Sequence, residues 1–290
     1  IIPSANRDEA ALIRSMSSVG ASSLLSVVQF LSTGEVEATD ESSVEADREV
    51  SLDLSDVVGQ SAARYALEIS AIGNHHILFI GPPGTGKTML AERLPTILPA
   101  LSIDQALEVT ALHSISGALG SRSPMSLVAP IVAPHHTASR VAIVGGGSHV
   151  IKPGACSLAH HGVLFIDEAP ECAIGVLDSL RQPLESGTIT ITRSVGNITF
   201  PAHFLLVLAA NPCPCGKFTG KGRNCTCSSV QVRRYLGKLS GPLMDRIDMR
   251  VQVDPVSRVE MAQTELGESS IEIRARVIRA RQAAASARPE

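Results

Sequence analysis

The sequence predicts an α/β fold built around a mostly parallel sheet, and three observations carry that prediction. Short, continuously apolar runs recur at 77–80, 163–166 and 204–209, as expected of strands buried on both faces. Stretches with helical periodicity alternate with them, the pattern of parallel strands joined by crossover helices. Finally, 44% of the 290 residues are hydrophobic and only 18% are charged. That is enough apolar material for a large core and too much for a disordered chain.

The elements follow in order. Residues 1–34 hold short apolar periods, Glu9-Ala-Ala-Leu-Ile and Ser22 to Leu31, read as two helices too short to form a domain. The chain does not begin with Met, so this stretch is expected to be the tail of something upstream. Residues 35–50 are an acidic linker: Glu35 to Glu49 carries seven carboxylates and one Arg, a composition that stays solvated. After Asp53 to Gln60 a helix is expected over Ala62 to Ala71, then the first strand, Ile77 to Ile80. A helix over Thr88 to Leu94 should stop at Pro95, which lacks the N–H a helix needs. Val163 to Ile166 is the second strand, and Val176 to Leu184 a helix. Thr188 to Thr192 and Asn197 to Phe200 alternate in polarity around Ser194-Val-Gly196 and read as a hairpin. Phe204 to Ala209 and Met249 to Val253 are the third and fourth strands. The last helix runs from Ser269 to Ala284, with Ser270 as its N-cap. There is no internal repeat.

Composition excludes several classes of function. No apolar run approaches the roughly 20 residues of a membrane helix, and no basic flank precedes an apolar segment at the N-terminus. A cytoplasmic location is therefore expected. Aromatics are 3% with no Trp, which argues against sheets that stack bases. Charge is uneven. Val109 to Ile166 has no carboxylate but holds Arg122, Arg140, Lys152 and six of the nine His. Ser186 to Met244 has none either, and holds Arg193, Lys217, Lys221, Arg223, Arg233, Arg234 and Lys238. Such stretches are either buried strands, poor in charge anyway, or a surface facing a polyanion.

The strongest motif is Gly81-Pro82-Pro83-Gly84-Thr85-Gly86-Lys87-Thr88, a phosphate-binding loop between an apolar strand and a helix. Glycines let backbone N–H groups surround phosphates, Lys87 reaches the β and γ oxygens, and the Thr88 hydroxyl binds Mg²⁺. Met89 closes this nucleotide-binding stretch. The second strand ends in Asp167-Glu168. Asp167 is placed to hold the metal with Thr88, and Glu168 to orient or deprotonate the attacking water. Asn211, at the end of the third strand, can hydrogen-bond the γ-phosphate or the water. Arg246 lies between Asp245 and Asp248, and is either paired locally or an arginine finger for a neighbouring subunit.

Cys213-Pro-Cys215 and Cys225-Thr-Cys227 are two C-x-C pairs inside a loop over 212–228. Four thiolates so close suit a tetrahedral Zn²⁺ site, with free thiols and two disulfides as the alternatives. Lys217, Lys221 and Arg223 in the same loop would stabilise thiolates and could meet DNA. Cys156 and Cys172 read as core residues. The pairs His75-His76, His135-His136 and His160-His161 cannot each chelate one ion, since neighbouring strand residues point to opposite faces.

In this order the motifs resemble an AAA+ ATPase module. Glu108-Val-Thr-Ala-Leu-His-Ser114, Ala133-Pro-His-His-Thr-Ala-Ser139, Gly145-Gly-Gly147 and Ser157-Leu-Ala-His-His-Gly162 are similar to the magnesium-chelatase-like branch. Leu180-Arg-Gln-Pro-Leu-Glu-Ser-Gly187, Asn211-Pro-Cys-Pro-Cys-Gly216 and the run from Arg234 to Asp248 resemble the bacterial ComM/YifB family within it. The resemblance implies an ATP- and Mg²⁺-dependent hexameric motor that promotes DNA branch migration in natural transformation and homologous recombination. It implies single-stranded or branched DNA as partner. It also assigns 1–34 to the end of a Lon-like domain, 51–258 to the ATPase core and 259–290 to the helical start of a C-terminal region, with the lid expected beyond. The long gap between Lys87 and Asp167 matches a helix-2 insert, and the hairpin a pre-sensor-1 hairpin, with Arg193 near its tip as a DNA contact. Two readings compete with the motor. One is a chelatase-type subunit that remodels a protein partner without DNA, and the other a nucleotide-gated scaffold.

Overall fold

The computed structural model describes residues 1–7, 10, 17–34, 52–119, 125–147, 150–193, 196–218, 225–256 and 267–287. They fall into two compact units, Ile1–Glu49 with Ser102–Leu127, and Val50–Leu101 with Val128–Glu290. The first unit contains a short parallel pairing of Ile2–Pro3 with Gly20–Ala21 and a helix, Leu24–Thr33, whose N-terminal N–H of Ser26 donates to the Ser23 hydroxyl at 3.2 Å. It also contains the helix Ile103–Ser116, closed at its start by reciprocal bonds between Ser102 and Gln105, the capping box expected of that residue pair. The helix expected at Glu9 and the acidic run at 35–50 lie outside the described residues.

The second unit is built on five strands: β1 (Ile77–Ile80), β2 (Ile131–Val132), β3 (Val163–Ile166), β4 (Leu205–Ala210) and β5 (Met249–Gln252). Their spatial order is β5-β1-β4-β3-β2, and every pairing is parallel. β4 is central and all six of its residues are buried. Leu206, Leu208 and Ala210 join Leu78, Leu164, Ile166, Leu177, Leu239 and Leu243 in one core. Burying each such Leu is worth about 1.5–3 kcal/mol. Three helices, α1 (Ser61–Gly73), α2 (Lys87–Ile97) and α3 (Ser270–Ala287), pack on one another, with α1 against β5 and α2 against β3 and β4. The hairpin Thr188–Arg193 with Gly196–Pro201 forms as expected, Arg193 opposite Gly196, while its turn residues Ser194 and Val195 lie outside the described residues.

Several sequence expectations shift. Pro95 does not stop α2, which continues to Ile97. So close to the helix end its missing N–H costs one bond to Ala91, and the Leu98 N–H closes the last turn on the Pro95 carbonyl at 3.3 Å. The helix expected over Val176 to Leu184 is two, Ile174–Asp178 and Arg181–Ser186. The break falls at Ser179, whose carbonyl a continuous helix would have directed at the absent N–H of Pro183. At the start of α3 the hydroxyl of Ser269, not Ser270, accepts the Glu272 N–H, at 3.4 Å. Ser270 is buried and receives the Leu54 N–H at 2.7 Å instead.

Candidate functional site

Register places the site. Ala210 is level with Ile80 and Leu208 with Ile166, so Gly81, Asp167 and Asn211 emerge from adjacent strands at the carboxyl edge of the sheet, where parallel sheets bind ligands. The loop Gly81 to Gly86 turns tightly from β1 into α2. Its Gly81 N–H donates to the Ala210 carbonyl at 3.1 Å. A Cβ on Gly81 would lie 2.1 Å from the Val253 carbonyl oxygen, so only glycine fits between β5 and the loop. The Gln60 side-chain amide ties the loop down further, donating to the carbonyls of Thr85 at 3.2 Å and Asp254 at 2.6 Å.

Lys87 opens α2 and is only 7% exposed. Its ammonium donates to the carbonyls of Gly81 at 2.7 Å and Pro82 at 2.9 Å, and to Asn211 Oδ1 at 3.4 Å. Burial pushes its pKa down, and the carboxylates of Asp167 and Glu168 pull it back up. An ammonium held by neutral carbonyls beside two acids suits a site that receives phosphate. The Thr88 hydroxyl donates to Asp167 Oδ2 at 3.0 Å, and the other Asp167 oxygen accepts the Glu168 N–H at 2.8 Å. A hydroxyl and a carboxylate oxygen at that separation form the oxygen set of a hard divalent cation, so the residues fit Mg²⁺. Thr88 and Met89 are exposed, and Asp167, Glu168 and Asn211 are partly buried.

Glu168 has a left-handed backbone, φ 48°, uncommon for a residue with a side chain and typical of places where geometry is set by function. Its Oε2 lies 3.2 Å from Nδ1 of His136, and the rings of His135 and His136 are 4.1 Å apart. His136 follows β2, the two-residue edge strand beside β3. Sequence reasoning missed this partner, because the contact exists only through strand pairing. On the expectation that Glu168 is the base of an ATPase, His136→Ala should lower the turnover number about tenfold with little change in KM for ATP, since a misplaced base slows the chemical step. A steady-state titration of ATP checks this, and an unchanged turnover number would remove His136 from the mechanism.

Tyr235 is a second missed residue. It is buried on the helix Ser229–Leu236, its phenol pKa pushed up by burial and then by the carboxylates of Glu171 and Glu168, with the Asn211 backbone opposing. Lys238 pairs with Glu171 at 3.6 Å. The phenol thus lies close to the Asn211 backbone.

Arg246 is exposed, and its guanidinium donates to Glu185, not to the flanking Asp245 or Asp248. Asp248 accepts the His76 N–H at 2.7 Å. In the other two histidine pairs one ring does structural work: His76 Nδ1 accepts the Leu206 N–H and His160 Nδ1 the His203 N–H, each at 3.1 Å. Arg193 and Lys217 are exposed. Lys221 and Arg223 lie outside the described residues.

The structure brings the four cysteines together. The Sγ atoms of Cys213, Cys215, Cys225 and Cys227 all lie within 4.8 Å of one another, and the Cys215 thiol is lowered to about 6, first by the Lys217 N–H and then by Cys213. Cys225, although lowered by the Cys227 N–H, is held up to about 12 by desolvation and by the Cys215 and Cys213 side chains. Cys156 is buried and its thiol pushed up to about 12 by burial, consistent with an inert core position.

Residues 53–261 match the family described as magnesium chelatase, subunit ChlI. The chain is 46% identical over 285 residues to the uncharacterized protein Rv2897c of Mycobacterium tuberculosis, covering 98% of this chain and 56% of that protein. It is 45% identical over 289 residues to the competence protein ComM of Haemophilus influenzae, with 97% and 56% covered. It is 42% identical over 283 residues to the uncharacterized protein YifB of Escherichia coli, with 97% and 55% covered. The chain therefore spans a little over half the length of these relatives.

Proposed function

The chain belongs to the magnesium chelatase, subunit ChlI, family as a ComM/YifB-like AAA+ protein, and from that premise we propose that it is the ATP-hydrolysing core of a DNA motor. The observation that carries the ATPase reading is the convergence of Lys87, Thr88, Asp167, Glu168 and Asn211 at one edge of the sheet. ATP phosphates enter the loop of Gly81 to Gly86. The Lys87 ammonium leaves the Gly81 and Pro82 carbonyls for the β and γ oxygens, a charge-assisted contact stronger than the neutral ones it replaces. Thr88 and Asp167 would hold Mg²⁺, which supplies charge neutralisation at the phosphates when bound. Glu168 orients the attacking water and accepts its proton, and the Asn211 amide fixes the γ-phosphate or that water. Residues 51–258 form this core, with 1–34 the end of a Lon-like domain and 259–290 the start of a C-terminal helical region.

The motor works as a hexameric ring in the cytoplasm, with Arg246 reaching the neighbouring subunit's ATP. Among the described residues no helix is long and apolar enough to cross a membrane. Arg193, Lys217, Lys221 and Arg223 meet single-stranded or branched DNA, and the cysteine cluster takes zinc. Support for DNA comes from the two carboxylate-free stretches, from the exposed far end of the hairpin that carries Arg193, and from the printed name of the competence relative. The family's description favours a second reading, a chelatase-type subunit acting on a protein partner, which needs neither basic hairpin nor cysteine loop.

Turnover with and without single-stranded and forked DNA, on a chain carrying its flanking regions, separates the two. DNA is expected to raise turnover, and affinity for it to fall with salt by about one slope unit per phosphate contact. Lys87→Ala, which removes the charge that meets the phosphates, should abolish ATP binding and serves as the blank. Turnover indifferent to DNA, with no binding at low salt, would favour the chelatase-type reading.

A further inference from the structure

The cysteine cluster sits against the nucleotide site. Three of its Sγ separations are 3.4, 3.7 and 3.6 Å. A tetrahedral zinc with Zn–S bonds of about 2.3 Å requires edges of about 3.8 Å, and soft thiolates in that geometry select zinc over hard cations. Cys213 is fully buried and lies two residues beyond Asn211. The turn after it closes through the Gly216 N–H on the Cys213 carbonyl at 2.9 Å. Gly216 has φ +72°, and a Cβ there would stand 2.7 Å from Pro83 Cδ, so the turn rests directly on the phosphate loop. At the other end, Cys227 leads through the cap residue Ser228 into the helix that carries Tyr235. Tyr235, buried on that helix, lies near Glu171 and the Asn211 backbone. Among the described residues between 211 and 230 only Pro212, Cys213 and Gly216 are buried, so this segment has almost no core of its own to hold it in place.

We propose that Cys213, Cys215, Cys225 and Cys227 bind one zinc ion that clamps the nucleotide site, fixing Asn211 from one side and bracing the phosphate loop through Gly216 on Pro83. The ion would tie together the end of β4, the turn on the loop and the helix that carries Tyr235. The four cysteines are positioning residues for ATP hydrolysis, acting through Asn211 and the loop. Binding energy in such a site is folding energy for the segment that supplies the ligands. The proposal rests on the ATPase reading above for its effect on turnover, and on the thiolate geometry alone for the metal.

The test uses the full chain purified without chelator. Elemental analysis should give one zinc per chain, and cobalt in its place should give the visible absorption of tetrahedral thiolate coordination. Removing zinc from the wild type with a chelator is expected to lower the turnover number about 10- to 100-fold, raise KM for ATP as the loop amides loosen, and be reversed by zinc. Amide hydrogen exchange at Gly84 to Thr88, which needs no turnover, should quicken without zinc. Cys225→Ser with Cys227→Ser should lose the metal and behave like the chelated protein, while Cys227→His, which still offers a ligand, should keep metal and turnover. Reduced, folded protein without stoichiometric zinc, or with iron in its place, overturns the zinc assignment. Zinc whose removal changes neither turnover nor exchange overturns the clamp. If zinc and exchange behave as expected but the wild type never hydrolyses ATP, the ATPase reading fails and the clamp stands.

Discussion

Glu168→Gln is expected to bind ATP and turn it over about 10²- to 10⁴-fold more slowly, the range general-base catalysis contributes. The amide has nearly the shape of the carboxylate but cannot accept the water's proton. Binding survives because the phosphate contacts come from Lys87 and the loop amides, not from Glu168. The substitution leaves the Glu168 N–H on Asp167 in place, since that bond uses backbone, and an amide oxygen can still accept from His136. A nucleotide titration beside single-turnover hydrolysis reads binding and chemistry separately. Near-normal hydrolysis with intact binding would move the base to another residue.

Arg246→Ala is expected to cost about 10³- to 10⁵-fold in turnover, as loss of an arginine finger does, while each subunit still binds ATP. The guanidinium lies on Glu185 of its own chain, an exposed pair of the kind worth about 0–1 kcal/mol. Exchanging that partner for a neighbour's γ-phosphate is therefore inexpensive. Mixing Arg246→Ala with Glu168→Gln protein should restore part of the activity, because some interfaces in a mixed ring join an intact base to an intact Arg. Rings that form and show no rescue would return Arg246 to a local surface pair.

The strands buried on both faces were legible because an unbroken apolar run has few other places to go. β1 and β3 match the expected limits residue for residue, and β4 is shifted by one residue at both ends, with Phe204 buried ahead of the ladder. β2 was not legible: two residues at a sheet edge, one of them exposed, leave no periodicity to read. The phosphate loop, Asp167, Glu168 and Asn211 were legible because each sits at the end of a strand, where sequence position nearly fixes spatial position. His136 and Tyr235 were not, since their approach to Glu168 and Asn211 depends on which strand lies beside which. The cysteines were legible as a cluster, but their seat on Pro83 was not, because nothing local to 213–227 names the loop at 81–88. Helix ends failed for a narrower reason. Pro95 and Pro183 each remove one N–H, and whether that ends a helix depends on what remains to its terminus.

The strand order has a consequence for synthesis. β1 is paired on one side with β4, at Val207, and on the other with β5, at Met249. A ribosome adding about 5–20 residues per second would expose Ile77-Leu-Phe-Ile80 for roughly 10–35 s before its second partner exists. Parallel pairing between such distant segments is slow and leaves nascent chains prone to aggregate. Any truncation before residue 249 would extend the interval indefinitely, leaving a sticky strand with one bare edge.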